Sequence, residues 1–187
     1  MKLKEYYLHA FYQNLIDFQE GNEGYDAMMM PLQSILEHGI LSRKLLIRKK
    51  LDTIPGVRFS TVNLNDKNYV SLVQINQNTK FENFGNNSFS NISNYPVMII
   101  DPIIKEELKF RRFGKRMVNE VQVRDRIDPK YFIGLRMPYH PYKCKNLTEL
   151  NELKEKLIVL NNFVARYNIT VYEQRTLKPI LESINKK

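Results

Sequence analysis

The segment NEVQVR, which ends at Arg124, alternates between polar and apolar side chains. In an extended chain successive side chains point to opposite faces of a sheet, so Val121 and Val123 share one face while Glu120 and Gln122 share the other. The valines predict a face that packs in a core. The polar face predicts either a solvent-exposed surface or a site.

Other segments also have the composition of β-strands, since they are rich in aromatic or β-branched residues and are bounded by turn-forming residues. They are residues 6–12, 57–62, 68–74, 95–101, 131–137 and 169–173. In the first of them, YYLHAFY, the alternation predicts that Tyr7, His9 and Phe11 share a face.

The phrase PLQSILEHG predicts a short helix. Pro31 suits the first helical position, where a missing N–H leaves no helical bond unmade, and Gly39 suits the C-terminal stop. Leu32, Ile35 and Leu36 form the apolar stripe of this helix.

A longer helix is predicted from Leu147, where Asn146 and Glu149 resemble a capping box. Apolar residues keep helical spacing along it: Leu150, Leu153, Leu157, Leu160 and Val164. A short helix is expected near the end of the chain. Because the predicted strands outnumber the helices, the pattern favours one α+β domain over residues 1–187.

Three stretches lack a clear period. Residues 17–26 predict a polar loop with Gly21 and Gly24, and residues 76–94, in which seven of nineteen are Asn, predict a surface loop. Residues 103–118 predict a short helix or a loop.

The chain of 187 residues is 43% hydrophobic, enough to bury a core, and carries a formal net charge of +9. Such a charge favours polyanionic partners such as nucleic acid. Two segments concentrate the positive charge. Residues 43–50 hold five basic side chains around three aliphatic ones, and residues 105–116 hold six basic residues against two acidic ones.

Cysteine content and hydropathy indicate the compartment. The single cysteine, Cys144, has no partner for an internal disulfide, and no Cys/His cluster has zinc spacing. The longest apolar run, at residues 97–100, is too short to span a bilayer. These features predict a cytoplasmic protein with no metal and no membrane partner.

The residues alone allow two interpretations of Glu120. A single carboxylate on a half-buried strand suits a solvent-facing position. Alternatively, Asp101 and Glu120 resemble the paired carboxylates that hold Mg²⁺ in a nuclease. Such a site would place a Lys where this chain has Gln122, and an amide can neither take a proton nor supply a charge.

A third interpretation rests on the order of several phrases. An aromatic strand with His9 is followed by PLQSILEHGILSR, YVSLV, YPVMIID, a basic segment and NEVQVRDRIDPKYFIG. This order resembles the ADP-ribosyltransferase superfamily, in particular bacterial and phage members that include the DNA-targeting toxins. The resemblance covers residues 6–136 in patches. It implies split, mainly antiparallel β-sheets around an NAD cleft, with flanking helices.

The resemblance also implies roles for individual residues. Glu120 would be the catalytic carboxylate of a transferase that uses NAD as its co-substrate and no metal. His9 would contact the ribose on the adenosine side of NAD, and Tyr69 and Ser71 would lie near the nicotinamide. The Ser-Thr pair at residues 60–61 is an alternative source of that middle residue.

A nucleic-acid acceptor is implied by the loop before the catalytic residue, where basic side chains neutralise phosphates and aromatic rings stack on bases. The phenylalanines of this loop also suit a core. Many family members carry Gln or Glu two residues before the catalytic Glu, and Val118 at that position argues against modification of arginine. The implied substrate-binding residues are Arg111, Arg112, Lys115, Arg116 and Gln122, with Phe110 and Phe113 between the basic residues.

The toxin members imply a role as a toxin or in phage conflict, with an antitoxin or regulatory protein as partner. Two other functions stay open: a non-catalytic, basic nucleic-acid-binding protein, and the Mg²⁺-dependent nuclease that uses Asp101 and Glu120. A transferase needs a dry NAD cleft around Glu120, whereas a binding module needs only the basic surface.

Overall fold

A computed structural model describes residues 5–10, 23–53, 67–76, 96–112, 120–174 and 176–185. The strands in these ranges are β1 Glu5–Ala10, β2 Ile40–Leu41, β3 Tyr69–Asn76, β4 Val97–Ile100, β5 Phe110–Arg112, β6 Glu120–Arg124, β7 Arg126–Ile127, β8 Phe132–Met137 and β9 Thr170–Glu173. The α-helices are α1 Glu23–Ala27, α2 Met29–His38, α3 Arg43–Arg48, α4 Ile104–Glu107, α5 Leu147–Ala165 and α6 Ile180–Ile184. Short 3-10 turns cover Pro129–Tyr131 and Pro141–Lys143. Strands outnumber helices in the described part of the chain, which confirms the predicted α+β class.

Seven strands form one sheet in the order β5-β6-β3-β1-β4-β8-β9, and β2 pairs with β7 in a small ribbon. The paired strands are antiparallel except for β8 and β9. A parallel pair needs a crossover, which α5 provides between these two strands. The sheet is therefore mainly antiparallel, as predicted, while the finer arrangement of split sheets around an NAD cleft stays a prediction.

The sheet has two packed faces. On the helix face, side chains of the central strands pack with α2 and α5. The opposite face carries a second, smaller apolar cluster. Side chains of the helix face include Tyr7, Leu72, Met98, Val121, Val123 and Leu135, and the cluster on the opposite face contains Tyr6, Leu8, Val73, Ile75, Val97 and Ile99. Neighbours in the chain thus alternate between the faces, as a strand requires.

The helix predicted from PLQSILEHG is confirmed as α2, but it begins at Met29, two residues earlier than predicted. Pro31 is therefore the third helical residue, still within the first turn, where its missing N–H leaves no helical bond unmade. Gly39 ends the helix as predicted. It has a φ of 80°, and its N–H donates to the Ile35 carbonyl at 2.8 Å.

The predicted loop at residues 17–26 was wrong at its end, where α1 forms. The Met28 N–H donates to the Gly24 carbonyl at 3.1 Å, so α1 leads almost directly into α2. Tyr25 anchors α1 to the rest of the protein, because its ring packs in the core and its hydroxyl donates to the Pro138 carbonyl.

The stretch at residues 103–118, predicted as a short helix or a loop, contains α4 and also an edge strand, β5, that the pattern did not predict. The backbone of β5 pairs with β6, and Phe110 lies opposite Val123. Phe110 packs edge-on against Tyr7, with ring centroids 5.1 Å apart. These three residues therefore form a strand because they pair with β6, not because of their intrinsic strand propensity.

The long helix and its N-terminal cap are confirmed in α5. The Asn146 side chain accepts from the Glu149 N–H at 2.9 Å, and the Glu149 carboxylate accepts from the Lys145 N–H at 2.8 Å. The returning bond thus goes one residue further back than in a standard capping box. The buried stripe consists of Leu153, Leu157, Leu160 and Val164. The short helix expected near the chain end is confirmed as α6.

Several predictions lie outside the described residues. They concern the strand at 57–62 with its Ser-Thr pair, and all but the first residue of the Asn-rich stretch at 76–94. Phe11, Phe113, Lys115, Arg116 and Val118 also lie outside the described ranges.

Candidate functional site

Polar side chains meet on the opposite face of the sheet, where β5, β6 and β3 lie side by side. Antiparallel pairing sets Gln122 opposite Ser71 on one side and opposite Arg111 on the other. It also sets Glu120 opposite Val73, which belongs to the cluster on the opposite face. Directly opposed residues share a face of a sheet. The polar row is defined as Tyr69, Ser71, Arg111, Glu120 and Gln122.

The alternation predicted for NEVQVR is confirmed by this geometry. Glu120 and Gln122 share the opposite face, while Val121 and Val123 are buried on the helix face. Tyr69 and Ser71, predicted to share a face because they are two residues apart in a strand, lie next to them on β3. With Arg111 on β5, the structure therefore brings five of the predicted site residues together.

Gln122 is buried, with 2% of its surface exposed, although the sequence predicted a contact with solvent or with an acceptor. Its Nε2 donates to the Ser71 Oγ at 3.3 Å. Its Oε1 has no hydrogen-bond partner among the described residues. A buried polar atom without a partner costs about 1–3 kcal/mol of folding stability. A partner supplied by a ligand or by an ordered water would satisfy such an atom.

Arg111 and Tyr69 form a cation–π contact across β6, with the guanidinium carbon 4.3 Å from the ring centroid. Arg111 is exposed and Tyr69 is half-buried. The contact contributes about 0.5–2 kcal/mol and covers one face of the tyrosine ring. A nicotinamide stacking on that face would have to displace the guanidinium.

Glu120 is half-buried at the first residue of β6. Gln122 follows it on the same face, about 7 Å further along the strand. Glu120 supplies the acidic group of the polar row, whose other members are neutral or basic. The row is therefore able to bind a hydroxyl or amide through Gln122 and to stabilise a developing positive charge through Glu120.

His9 lies on the helix face and not in the polar row, because it pairs with Met98 of that face. Its Nδ1 donates to the backbone carbonyl of Ser71 at 3.0 Å. Burial lowers the pKa of His9, and this hydrogen bond opposes the shift. The sheet itself separates the imidazole from the Glu120 carboxylate, so the structure does not bring these two predicted site residues together.

Asp101 follows β4, and its carboxylate accepts from the Ile103 N–H at 2.9 Å. It thereby caps the turn that leads into α4. The strands β3 and β1 lie between β6 and β4, which separates Asp101 from Glu120 by about 14 Å at ordinary strand spacing. One ion bound at about 2.0–2.6 Å from its oxygen ligands cannot bridge that distance. The described residues contain no group of three or more His, Cys, Asp or Glu that could hold a metal ion.

Two of the four basic residues implied to bind substrate before Glu120 are described: Arg111 in the polar row and Arg112 at the register position opposite Val121. Phe110, predicted either to stack on a base or to pack in a core, packs in the core against Tyr7. Its ring is therefore engaged by the core, although it is only partly buried.

Sequence reasoning missed the burial of Gln122 and the contact between Arg111 and Tyr69. Ser71 and Gln122 are 51 residues apart in the chain, and no local pattern predicts which strands become neighbours. Alternation within each strand was the one usable signal, since it predicts which side chains share a face once the pairing is known.

A separate groove of about 350 Å³ lies between α1, α2 and α5. Its floor is apolar and its rim carries charged residues. The lining includes Tyr25, Asp26, Met28, Glu155, Lys156 and Leu160. The groove belongs to the helix side of the molecule and shares no residue with the polar row.

Comparison of the chain with family models, with curated proteins and with solved structures finds no match. Within the ranges that the structure covers, no helix combines the length and the apolar character needed to cross a membrane. The function of the polar row is therefore argued from its own chemistry together with the order of sequence phrases.

Proposed function

We propose that the chain is an NAD-dependent ADP-ribosyltransferase that modifies a nucleic acid, with Glu120 as its catalytic carboxylate. The order of sequence phrases supports the reaction class. The observation that carries the site is the buried Oε1 of Gln122, which has no partner among the described residues and lies two residues from the half-buried Glu120. In this proposal NAD binds in a cleft beside the polar row, at the end of the sheet formed by β5, β6 and β3.

NAD would supply an ADP-ribosyl group, whose bond to nicotinamide breaks through a transition state with positive charge on the ribose. The Glu120 carboxylate accepts a hydrogen bond from a ribose hydroxyl and stabilises that charge. A carboxylate fixed at the start of a strand does so without reorganising at the moment of reaction.

The neighbours of Glu120 take binding roles. Gln122 Oε1 accepts a hydrogen bond from the ligand, while its Nε2 stays on Ser71 Oγ and holds the amide in orientation. Tyr69 offers a ring and Arg111 a movable positive charge at the edge of the row. Contact of His9 with the adenosine-side ribose is not part of this proposal, because the ring of His9 lies on the other face of the sheet.

The test is transfer from adenine-labelled NAD to separate pools of DNA, RNA and protein, with EDTA present. The native chain is expected to label one nucleic-acid pool and to release nicotinamide. Glu120→Gln keeps the size of the side chain but removes its charge, and it is expected to reduce the rate by at least about 100-fold. Glu106→Gln, an exposed carboxylate on α4, is the matched control and should keep the native rate.

Equal transfer by the native chain and by Glu120→Gln would refute the role of Glu120. Absence of transfer and of nicotinamide release from a folded native sample would refute the reaction and favour a binding module. Cleavage of nucleic acid in a parallel reaction with Mg²⁺ in place of EDTA would favour a nuclease, with metal ligands other than the pair Asp101 and Glu120. A role as a toxin with a cognate antitoxin rests on the sequence resemblance and would follow only from a positive transfer result.

A further inference from the structure

A basic surface forms where α3 meets the start of β3 and the β6–β7 turn. Backbone hydrogen bonds hold these parts together: the Lys44 N–H donates to the Lys67 carbonyl at 2.9 Å, and the Ser42 N–H donates to the Asp125 carbonyl at 2.7 Å. The Asp125 N–H in turn donates to the Asn68 carbonyl at 2.7 Å. Side chains that are far apart in the chain therefore project from one place.

Eight exposed basic side chains project from this surface, here named the basic corner, against three acidic ones. The basic residues are Arg43, Lys44, Arg48, Lys49, Lys50, Lys67, Arg124 and Arg126, and the acidic residues are Asp52, Asp125 and Asp128. The surplus of five positive charges is more than half of the formal net charge of +9. The charge of the chain is therefore concentrated, not spread evenly.

Local ion pairs neutralise only part of this charge. Asp125 contacts Arg124 at 3.7 Å, and Asp128 contacts Arg126. Five other basic residues of the corner have no carboxylate of the described part of the chain within ion-pair distance. They are Lys44, Arg48, Lys49, Lys50 and Lys67. Their mutual repulsion disfavours the free state and is relieved when a polyanion binds.

One of these lysines occupies a backbone position that glycine normally fills. Lys50 has a φ of 58°, and its N–H donates to the Ile47 carbonyl at 3.0 Å, while the Leu51 N–H donates to the Leu46 carbonyl at 3.0 Å. This pair of bonds is the Schellman ending of a helix, whose left-handed residue is usually Gly. A side chain there has a conformational cost that glycine would not have, and here that side chain adds a positive charge to the basic corner.

We propose that the basic corner binds the phosphate backbone of a nucleic acid. Phosphates supply the dense, regular negative charge that a cluster of exposed Lys and Arg neutralises. A membrane surface fits less well, because an amphipathic helix binds lipid through an exposed apolar face. In α3, Leu45 and Leu46 are half-buried against the protein, and only Ile47, at 52% exposure, projects to solvent.

The basic corner extends towards the polar row. Arg124 ends the strand that Glu120 begins, so it lies about 13 Å from that carboxylate along β6. Arg124 also pairs with Tyr69 of the row. Binding of nucleic acid at the corner does not require NAD or catalysis. This proposal is therefore independent of the proposed transferase activity and can be tested without it.

The test is fluorescence anisotropy with a labelled single strand and a labelled duplex of about 20 nucleotides, at salt from about 50 to about 200 mM and without NAD. The corner variant combines Lys44→Gln, Arg48→Gln and Lys49→Gln. The control variant combines Lys143→Gln, Lys145→Gln and Arg166→Gln, which are exposed, lie at the other end of the sheet and lower the net charge equally. Circular dichroism confirms that both variants are folded.

The corner variant is expected to bind at least about tenfold more weakly than the native chain, with the slope of log K against log salt reduced by about two to three. The control variant should bind like the native chain. Equal weakening by both triple variants would overturn the proposal, because net charge alone would then explain binding. Absence of native binding, or corner-dependent binding to vesicles of anionic lipid but not to either oligonucleotide, would also overturn it.

Discussion

At the residue scale, Gln122 and Lys50 both depart from what stability alone would select. Gln122 buries an amide oxygen that the described residues leave without a hydrogen bond, and Lys50 holds a left-handed conformation. The unpartnered oxygen costs about 1–3 kcal/mol, and the left-handed residue costs about 1–2 kcal/mol. Departures of this kind cluster at functional sites, and here one lies beside Glu120 and the other in the basic corner.

Lys50→Gly should stabilise the chain. Glycine adopts a φ near 58° without steric cost, so the free energy of unfolding is expected to rise by about 1 kcal/mol. Urea denaturation measures this difference. Lys49→Gly is the control, because Lys49 has a φ of −88° and gains nothing from glycine. A Lys50→Gly variant less stable than the native chain would contradict the assigned backbone conformation.

At the element scale, the junction between α2 and the small ribbon depends on Gly39. Its φ of 80° and ψ of 178° lie in a region open essentially to glycine alone. A Cβ at this position would lie 2.2 Å from the Ile127 carbonyl oxygen of β7. Because β7 directly follows β6, this close approach connects the end of α2 with the strand that carries Glu120.

Gly39→Ala should therefore be severely destabilising. Backbone strain together with the clash against Ile127 is expected to lower the free energy of unfolding by at least about 2 kcal/mol. Thermal and urea unfolding measure the loss. Glu37→Ala, an exposed change in the same helix that removes only a contact with Gln33, should cost far less. Equal stability of the two variants would refute the close packing at the junction.

Prediction from sequence succeeded for elements whose signal is local. The periodicity of α5 and the alternation of β6 both survive in the structure, because each depends on residues within a few positions of one another. β5 was missed because three residues carry too little pattern and form a strand only by pairing with β6. α1 was missed because glycines at its edges resemble those of a loop.

At the scale of the whole molecule, charge is segregated. The basic corner lies at α3 and the β6–β7 turn, whereas the groove between α1, α2 and α5 has Asp26, Glu152 and Glu155 on its rim. Lys156 pairs with Asp26 at 2.6 Å and neutralises part of that acidity. A polyanion is attracted to the basic corner and repelled from the acidic rim of the groove.

Global stability should fall on acidification below about pH 6.5 because of His9. Its pKa in the folded chain is lowered from the ordinary value of 6.5 by burial, so the unfolded chain takes up the proton first. The stabilisation is present above that value and is lost as the pH falls towards the folded pKa, with a slope of up to about 1.4 kcal/mol per pH unit.

The measurement is urea denaturation of the native chain and of His9→Asn between pH 7.5 and 5. Asn keeps a donor towards the Ser71 carbonyl but does not titrate, so its stability should change less over this range. The pKa of Glu5 is lowered, mainly by its hydrogen bond from Lys105. Its titration therefore changes stability only below about pH 4.5, outside the range of this measurement. The same pH dependence in both chains would contradict the burial of His9.

The sequence by itself determined the α+β class, the helix stop at Gly39, the cap of α5 and the shared face of Glu120 and Gln122. Each of these depends on dihedral preferences and side-chain periods that act within one turn or one strand. Such preferences are the same wherever the segment lies in the fold.

Only the tertiary structure decided which of these segments meet. Strand order put Ser71 beside Gln122, set His9 on the other face and separated Asp101 from Glu120. The same order joined α3 to the β6–β7 turn and so made the basic corner. The reason is that pairing between distant strands depends on how well both faces of the whole sheet become buried. The sequence of a single segment does not determine that burial.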